Sequence, residues 1–258
     1  MTSSLRFLLL LLAVAPLALQ AQTRYLDPMF SGYTSSDSLV YGSNSTFPND
    51  DVVDLNMVVY EPEGDSETSR PALILMPASS YLTPSQAYQS IRIRGNATGY
   101  PNFTLDDYWL MDAVEYFTAR GYVVATMQYR LGWNPLSQEP DVPQRTIIQA
   151  VYRATQDLRA GIRYLKANHD TYGIDTTKIA AGGSNNAGYN AIHTSAFKDA
   201  AQLQIPKLLD GNDDPYINQD SLGGFEGTTN TLANSSDFHA VINWGGAVAD
   251  TSLLGPND

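Results

Sequence analysis

The amino-acid sequence predicts an α/β protein built on a three-layer, doubly wound and mostly parallel sheet. A continuous apolar run at residues 72–76 has the composition of a strand that is buried on both faces, and residues 122–129 are a second candidate for a central strand. A longer segment, residues 145–167, repeats apolar side chains at the spacing of one helix face. Since apolar runs and helical patterns alternate along the chain, parallel β–α–β units are the expected outcome.

The first half of the chain contains two further strand patterns and one helix pattern. A short apolar stretch at residues 39–41 predicts an edge strand, and the alternation in residues 55–60 predicts a half-exposed second strand. After the central run, the polar segment 77–103 has no periodicity and predicts a long loop. A capping-box pattern at residues 104–107 begins a helix that ends near Gly121.

The second half continues the alternation after residues 122–129 and 145–167. We predict a buried strand at residues 178–182, an Ala-rich helix at residues 186–200 and a last short strand at residues 238–243. The polar, Gly- and Asn-rich residues 201–236 predict an excursion from the sheet. The rest of the long helix surface, outside its apolar face, contains basic residues and predicts a solvated face rather than an anion site; these residues are Arg153, Arg159, Arg163 and Lys166.

Bulk composition restricts the partners and the compartment. The chain has 258 residues, a net charge of −12 and no cysteine, which argues against nucleic acid as a partner and against disulfides or thiolate metal sites. Residues 1–21 contain one basic residue, Arg6, before an apolar run and small residues up to Ala21. This pattern predicts a signal peptide cleaved near Ala21, a secreted or periplasmic protein, and a single domain at 22–258 with no stable membrane span. An uncleaved anchor is the alternative, although the apolar run is shorter than the roughly 20 residues of a bilayer span.

The most informative stretch is residues 178–193, where a strand pattern meets small residues and then a helix pattern. This arrangement is typical of a nucleophile elbow, whose template is Gly-x-Ser-x-Gly. A gap-free alignment matches residues 183–187 to the template and puts Asn185 at the nucleophile position. Shifting the alignment by one residue puts Ser184 at the centre but loses the final glycine, so two registers remain open.

Five stretches in this order and spacing resemble the secreted, bacterial-type α/β-hydrolases of the carboxylesterase and lipase kind; they are residues 58–62, 71–81, 122–132, 150–178 and 241–247. The resemblance implies an α/β-hydrolase fold, an ester-hydrolysing ancestry and a small ester or carbohydrate ester as ligand. It also implies an oxyanion hole, where Pro77 replaces the usual glycine-rich turn and has no N–H to donate. The candidates for its donors are then Ala78, Ser79 and the main chain of Asn186.

The chain departs from this family where the chemistry should lie. An asparagine at position 185 has no hydroxyl to deprotonate, and the acid and histidine that the family places after the nucleophile have no clear counterpart. We interpret the three histidines, His169, His193 and His239, as structural or exposed, and Asp250 as a weak candidate for the acid.

Three hypotheses follow from these departures. The first is a catalytically impaired relative that acts as a secreted binding or structural protein. The second is an active serine esterase that uses Ser184. The third, compatible with either, is a C-terminally incomplete chain whose sheet lacks its last strands.

One other segment has the spacing of a metal site. Asp210, Asn212 and Asp214 alternate as in the start of a calcium loop, but Pro215 stands where such a loop needs glycine. We therefore favour an Asx-rich surface turn, with calcium as the alternative. No zinc, dinucleotide or phosphate-loop pattern occurs, and no metal or cofactor is expected.

Overall fold

The computed structural model describes residues 24–48, 50–83 and 108–254. These residues form one mixed sheet of seven strands: β1 (Tyr33–Ser35), β2 (Leu39–Ser45), β3 (Val52–Pro62), β4 (Arg70–Met76), β5 (Val123–Met127), β6 (Ile174–Ser184) and β7 (Ala240–Trp244). The helices are α1 (Tyr108–Thr118), α2 (Val142–Ala167), α3 (His169–Tyr172), α4 (Asn186–Ala196) and α5 (Gln219–Leu222). Short 3-10 helices lie at Ala200–Gln204, Pro206–Leu208 and Thr251–Leu253.

The sheet confirms the α/β class but is mixed rather than mostly parallel. Its strand order is β1-β3-β5-β4-β6-β7, and β2 also pairs with β3. The pairs β4–β5, β4–β6 and β6–β7 are parallel, whereas the three pairs that β3 makes are antiparallel. The connection between β2 and β3, residues 46–51, is too short for the crossover that a parallel pair needs, so these two strands pair antiparallel.

Strand β4 is central, as its apolar run predicted. Leu73 and Leu75 pack towards α1, in a cluster with Leu110 and Val114. The alternate residues Ile74 and Met76 pack in a second cluster that contains residues of α2 and α4. Successive side chains of a strand point to opposite faces, so β4 buries both of its faces and the domain has a helix layer on each side of the sheet.

The boundaries of the elements differ from the sequence expectation in several places. Strand β1 was not predicted, and α2 begins at residue 142 rather than 145, with a proline in its first turn. Helix α4 ends at Ala196 and not at residue 200, because Phe197 adopts an extended backbone (φ −73°, ψ 103°) and is buried. Residues 84–103 of the expected loop and the capping pattern at 104–107 lie outside the described residues.

The basic residues of α2 do not form the solvated face that was expected. Arg153 is only 5% exposed and Arg163 only 4%. Arg163 pairs with Glu226 (2.6 Å), and Arg159 also pairs with Glu226 (2.8 Å). The expectation was wrong because the polar residues 222–236 fold back over this helix, which the helix's own periodicity does not encode.

Strand β7 lies at the end of the strand order and pairs with β6 on one side. Its residues are half-buried or exposed, and Trp244 is 41% exposed. The expectation that further strands belong beyond β7 stays a prediction. None of the helices in the described part of the chain combines the length and the apolar character required to cross a membrane.

Candidate functional site

The connection between β6 and α4 consists of the single residue Asn185. Its backbone has φ 53° and ψ −121°, a conformation that residues other than glycine adopt at a cost of about 1–3 kcal/mol. Its N–H donates to the carbonyl of Trp244 (3.0 Å), and its own carbonyl accepts from the N–H of Tyr189 (3.1 Å). The side chain does not cap the helix and is exposed. Asn185 is therefore held at the apex of a sharp turn with its carboxamide facing outwards.

Small residues allow this turn to form. A Cβ at Gly183 would lie 2.4 Å from the Cβ of Ala187 and 2.7 Å from the carbonyl oxygen of Met76. A Cβ at Gly188 would lie 2.4 Å from Oδ1 of Asn243. The structure thus brings positions 183 and 187 together across an apex at Asn185, the geometry of the gap-free elbow template.

Ser184 occupies the residue before the apex. It is the last residue of β6, is half-buried and pairs in register with Trp244 of β7. Its backbone belongs to the strand, and the positive φ belongs to the next residue. The structure therefore separates the two candidate nucleophiles: Ser184 lies in the sheet and Asn185 at the turn.

The residues predicted as oxyanion donors form a hydrogen-bonded group beside the elbow. The Oδ1 atom of Asn186 accepts the main-chain N–H of Ser79 (2.8 Å), and its Nδ2 atom donates to the Ser79 hydroxyl (2.7 Å). The Ser79 N–H is thereby occupied by a side chain of the protein itself. Asn186 is the first residue of α4, where main-chain N–H groups have no partner within the helix. Ala78 is half-buried between Ser79 and the end of β4.

Two buried tyrosines complete this group, and the sequence reasoning did not single them out. The Tyr129 hydroxyl donates to the Ser79 hydroxyl (2.8 Å). The Tyr81 hydroxyl lies 3.0 Å from the carbonyl of Asn186 and also donates to Oδ1 of Asn190. Burial raises the pKa of both phenols, so they remain neutral donors at physiological pH. The position of Tyr129 at the carboxyl end of the predicted strand 122–129 was the available signal, because the carboxyl ends of parallel strands share one edge of the sheet.

A cleft of about 380 Å³ opens at the apex; its lining consists of Tyr81, Ile147, Val151, Asn185, Asn186, Tyr189, Gly245, Gly246 and Ala247. Most of this lining is apolar, and Asn185 and Asn186 contribute its two amide side chains. A smaller cavity of about 90 Å³ shares the walls Ile147, Val151 and Tyr189. The volume and the lining are those of a site for a small organic molecule.

His193 lies close to the cleft but both of its ring nitrogens are occupied. Nδ1 is 2.7 Å from the carbonyl of Tyr189, and Nε2 accepts the N–H of Ala249 (3.1 Å). These partners fix the neutral tautomer with its proton on Nδ1. Burial is the main cause that lowers the pKa of His193 below its ordinary value. The residue is 1% exposed and joins α4 to the segment after β7, which is a structural role.

The remaining acid and base candidates lie away from the cleft lining. The His169 ring lies 3.4 Å from Asp170 in α3, and His239 is exposed just before β7. Asp250 begins a 3-10 helix by accepting the N–H of Ser252 (3.0 Å). This bond and the Lys207 ammonium lower the pKa of Asp250 to about 2. None of these three residues is among the side chains that line the cleft.

The segment with calcium-like spacing folds as a surface turn. One oxygen of Asp210 accepts the N–H of Asn212 (2.8 Å) and the N–H of Asp214 (3.0 Å). Its own N–H donates to the carbonyl of Asp214 (2.8 Å). Across residues 24–48, 50–83 and 108–254, no group of three or more His, Cys, Asp or Glu side chains is arranged to hold a metal ion.

A larger groove of about 550 Å³ lies between residues 30–33 and α1. Its charged side chains are Asp112 and Glu115, both exposed, and its walls include Tyr33 and Tyr116. The groove contains neither the elbow nor a histidine. The cleft at Asn185 is therefore the candidate site, although it is the smaller of the two.

Comparison with known proteins adds structural neighbours only. No protein-family model matches the sequence, and no curated protein sequence matches it. Similar solved structures include esterases of the planctomycete Thermogutta terrifontis. The butyrate-bound esterase is 19% identical and has a TM-score of 0.41; the match covers 82% of this chain and 53% of the esterase chain. The apo form of esterase 2 is 20% identical and has a TM-score of 0.42; the match covers 86% of this chain and 58% of the esterase. The form phosphorylated by paraoxon is 19% identical and has a TM-score of 0.44; the match covers 86% of this chain and 60% of the esterase. The chain thus spans between 53% and 60% of the length of these three structures.

Proposed function

We propose that this protein is a secreted or periplasmic, esterase-like α/β-hydrolase that binds small esters in the cleft at Asn185 and has little or no ability to hydrolyse them. The observation that supports this most directly is Asn185 itself. It has the strained and exposed backbone position that an elbow gives to a nucleophile, and it has a carboxamide in place of a hydroxyl. The scaffold of the site is present while the reactive group is not.

Acyl transfer at this position would need two components that residues 24–48, 50–83 and 108–254 do not bring to Asn185. A carboxamide nitrogen has its lone pair delocalised and does not form an ester intermediate, so Asn185 is no substitute for serine. A hydroxyl would also need a general base within hydrogen-bond reach, and His193, which follows on the same helix, has both ring nitrogens engaged. Restoring the hydroxyl alone is therefore insufficient for turnover.

Ligand binding needs apolar walls and hydrogen-bond donors, and the cleft has both. The apolar walls Ile147 and Val151 suit the acyl or aryl part of an ester. The amide of Asn185 and the first N–H groups of α4 supply donors for an ester carbonyl at the end of the cleft. Ser79 does not contribute its N–H in this conformation, because Asn186 holds it. The ligand would thus be oriented by amides and not polarised by a full oxyanion hole.

The first test is hydrolysis of 4-nitrophenyl acetate and 4-nitrophenyl butyrate. We expect the purified protein to show turnover no faster than a heat-denatured sample, and the Asn185→Ser variant to remain equally slow because it gains no base. Ser184→Ala is the matched control for the alternative nucleophile. Robust hydrolysis that is abolished by Ser184→Ala would overturn the proposal and establish an active serine esterase.

The second test is binding. Titration with 4-nitrophenyl butyrate should raise the thermal unfolding midpoint, by mass action on the folded state. Ala247 is exposed at the rim of the cleft, so Ala247→Trp fills the opening without disturbing the core. Loss of the midpoint shift in this variant would place the ester in the cleft. A shift that persists in Ala247→Trp, or no shift in the wild type, contradicts binding at Asn185.

The compartment is part of the proposal. Residues 2–22 have the charge and apolar pattern of a leader. Expression of the full chain in a bacterium with a secretion pathway, followed by N-terminal sequencing of the exported product, should give a start near Gln22. A product retained with Met1 intact in the cytosol would exclude export by this leader.

A further inference from the structure

The long helix α2 buries an arginine, Arg153, that forms no ion pair with any acid of the described residues. Arg153 is 5% exposed, and its Nε and Nη2 atoms have neither solvent contact nor a hydrogen-bond acceptor among the residues that the structure describes. These two atoms form one edge of the guanidinium, the edge that binds a carboxylate or phosphate through two parallel hydrogen bonds. A complete bidentate donor edge is therefore buried and unused.

The one buried carboxylate nearby is already committed to another arginine. Asp157 accepts the main-chain N–H of Arg130 (2.8 Å) and pairs with its guanidinium at 2.9 Å. The Thr229 hydroxyl donates to the same carboxylate at 2.7 Å. Asp50 is the other acid whose charge acts on Arg153, but it is exposed and, in the described part of the chain, does not pair with it. Two buried guanidinium groups thus share one buried carboxylate.

Gly132 and Phe47 lie close to the Arg153 guanidinium. A Cβ at Gly132 would lie 2.7 Å from Nη2 of Arg153 and 2.8 Å from the Cβ of Phe47. The Phe47 ring centroid is 5.8 Å from the guanidinium carbon. Burial, followed by the charge of Arg130, lowers the pKa of Arg153 to about 10, so the side chain is still protonated at neutral pH. An uncompensated buried cation is costly unless an anion or a hydrogen-bond partner satisfies it.

We propose that Arg153 anchors an anion-binding site, in which the free Nε–Nη2 edge binds the two oxygens of a carboxylate or phosphate group after the Phe47 side chain rotates away. Phe47 is half-buried and covers the guanidinium on one side. On another side, the missing side chain of Gly132 leaves the space that Nη2 of Arg153 occupies. The site is independent of the cleft at Asn185 and does not rest on the function proposed for that cleft.

The test compares inorganic phosphate, sodium acetate and sodium chloride at equal ionic strength in thermal unfolding of the whole chain. Phosphate or acetate at ten times its dissociation constant should raise the midpoint by about 3–6 °C over chloride. A response to phosphate alone assigns a phosphate site, and a response to acetate as well assigns a general oxyanion site. Equal midpoints in all three salts would overturn the proposal.

Variants of α2 locate the effect. Arg153→Met keeps the length of the side chain and removes the charge, so it should abolish the anion response and, in chloride, raise the midpoint by about 2–4 °C. Arg153→Lys keeps the charge without the planar fork and should weaken the response. Arg145→Met is the matched control, because Arg145 is exposed on the same helix, and it should leave the response intact. An anion response that survives in Arg153→Met, or a lower midpoint of that variant in chloride, contradicts the proposed site.

Discussion

The elbow makes a strong prediction for Gly183→Ala. The new methyl group would lie 2.4 Å from the Cβ of Ala187 and 2.7 Å from the carbonyl oxygen of Met76, while ordinary contacts begin at 3.4 Å. Both neighbours are rigid: Ala187 is in the first turn of α4 and Met76 is the last residue of the central strand. Overpacking of this kind costs about 3 kcal/mol or more, which corresponds to a fall of about 6–12 °C in the unfolding midpoint.

A double-mutant cycle identifies which contact is responsible. Ala187→Gly removes the closer of the two neighbours and by itself costs about 1 kcal/mol in helix propensity. Combined with Gly183→Ala it should restore about 1–2 kcal/mol, with the Met76 contact still unrelieved. Urea denaturation with a constant m value measures the four free energies of unfolding.

The control substitution is Gly211→Ala, whose added Cβ meets no atom within 4 Å. It should change the free energy of unfolding by no more than about 1 kcal/mol, and in the stabilising direction if at all. A Gly183→Ala protein as stable as Gly211→Ala would refute the tight packing of the elbow. No recovery in the double variant would assign the whole cost to the Met76 carbonyl.

Two further predictions concern buried titratable groups. Asp157→Asn removes the counter-charge of the buried Arg130 and should lower the free energy of unfolding by about 3–5 kcal/mol. The control, Asp170→Asn, changes a side chain that is 95% exposed and should lower it by less than about 0.5 kcal/mol. Similar urea midpoints for the two variants would contradict the buried pair. The lowered pKa of His193 means that below about pH 6.5 the unfolded state binds a proton that the folded state excludes, so stability should fall as the pH drops from about 7 towards 5. Thermal unfolding of His193→Gln should show a shallower fall over the same range, and an unchanged slope would assign the effect to another group.

Local patterns in the sequence predicted most of the sheet. The apolar runs at β4 and β5 and the alternation in β3 are properties of neighbouring residues, so they are readable without the fold. The three-residue strand β1 is too short and too polar to give such a signal. The end of α4 was misplaced because burial of Phe197, not its local propensity, stops the helix.

The candidate site, like the sheet, has some features that the sequence predicted and others that it did not. The small residues around Asn185 predicted a sharp turn, since glycine spacing is visible in the chain. The pairing of Asn186 with Ser79 joins residues that are 107 positions apart, and no local pattern indicates it. The basic stripe of α2 was interpreted as solvated because a helix pattern does not show what later folds over it, and Arg153 is instead buried.

The sequence by itself determined the class of the sheet's elements, the position of the strand-turn-helix connection and the absence of a hydroxyl from residue 185. Only the tertiary structure decided that Asn185, and not Ser184, has the strained apex conformation, that both ring nitrogens of His193 are hydrogen-bonded, and that Nε and Nη2 of the buried Arg153 have no hydrogen-bond acceptor among the described residues. The physical reason is the distance along the chain over which each effect acts. Secondary-structure periodicity and turn chemistry depend on residues that are close together in the sequence. Burial, hydrogen-bond saturation and charge compensation depend on segments that meet only when the sheet and its helices pack.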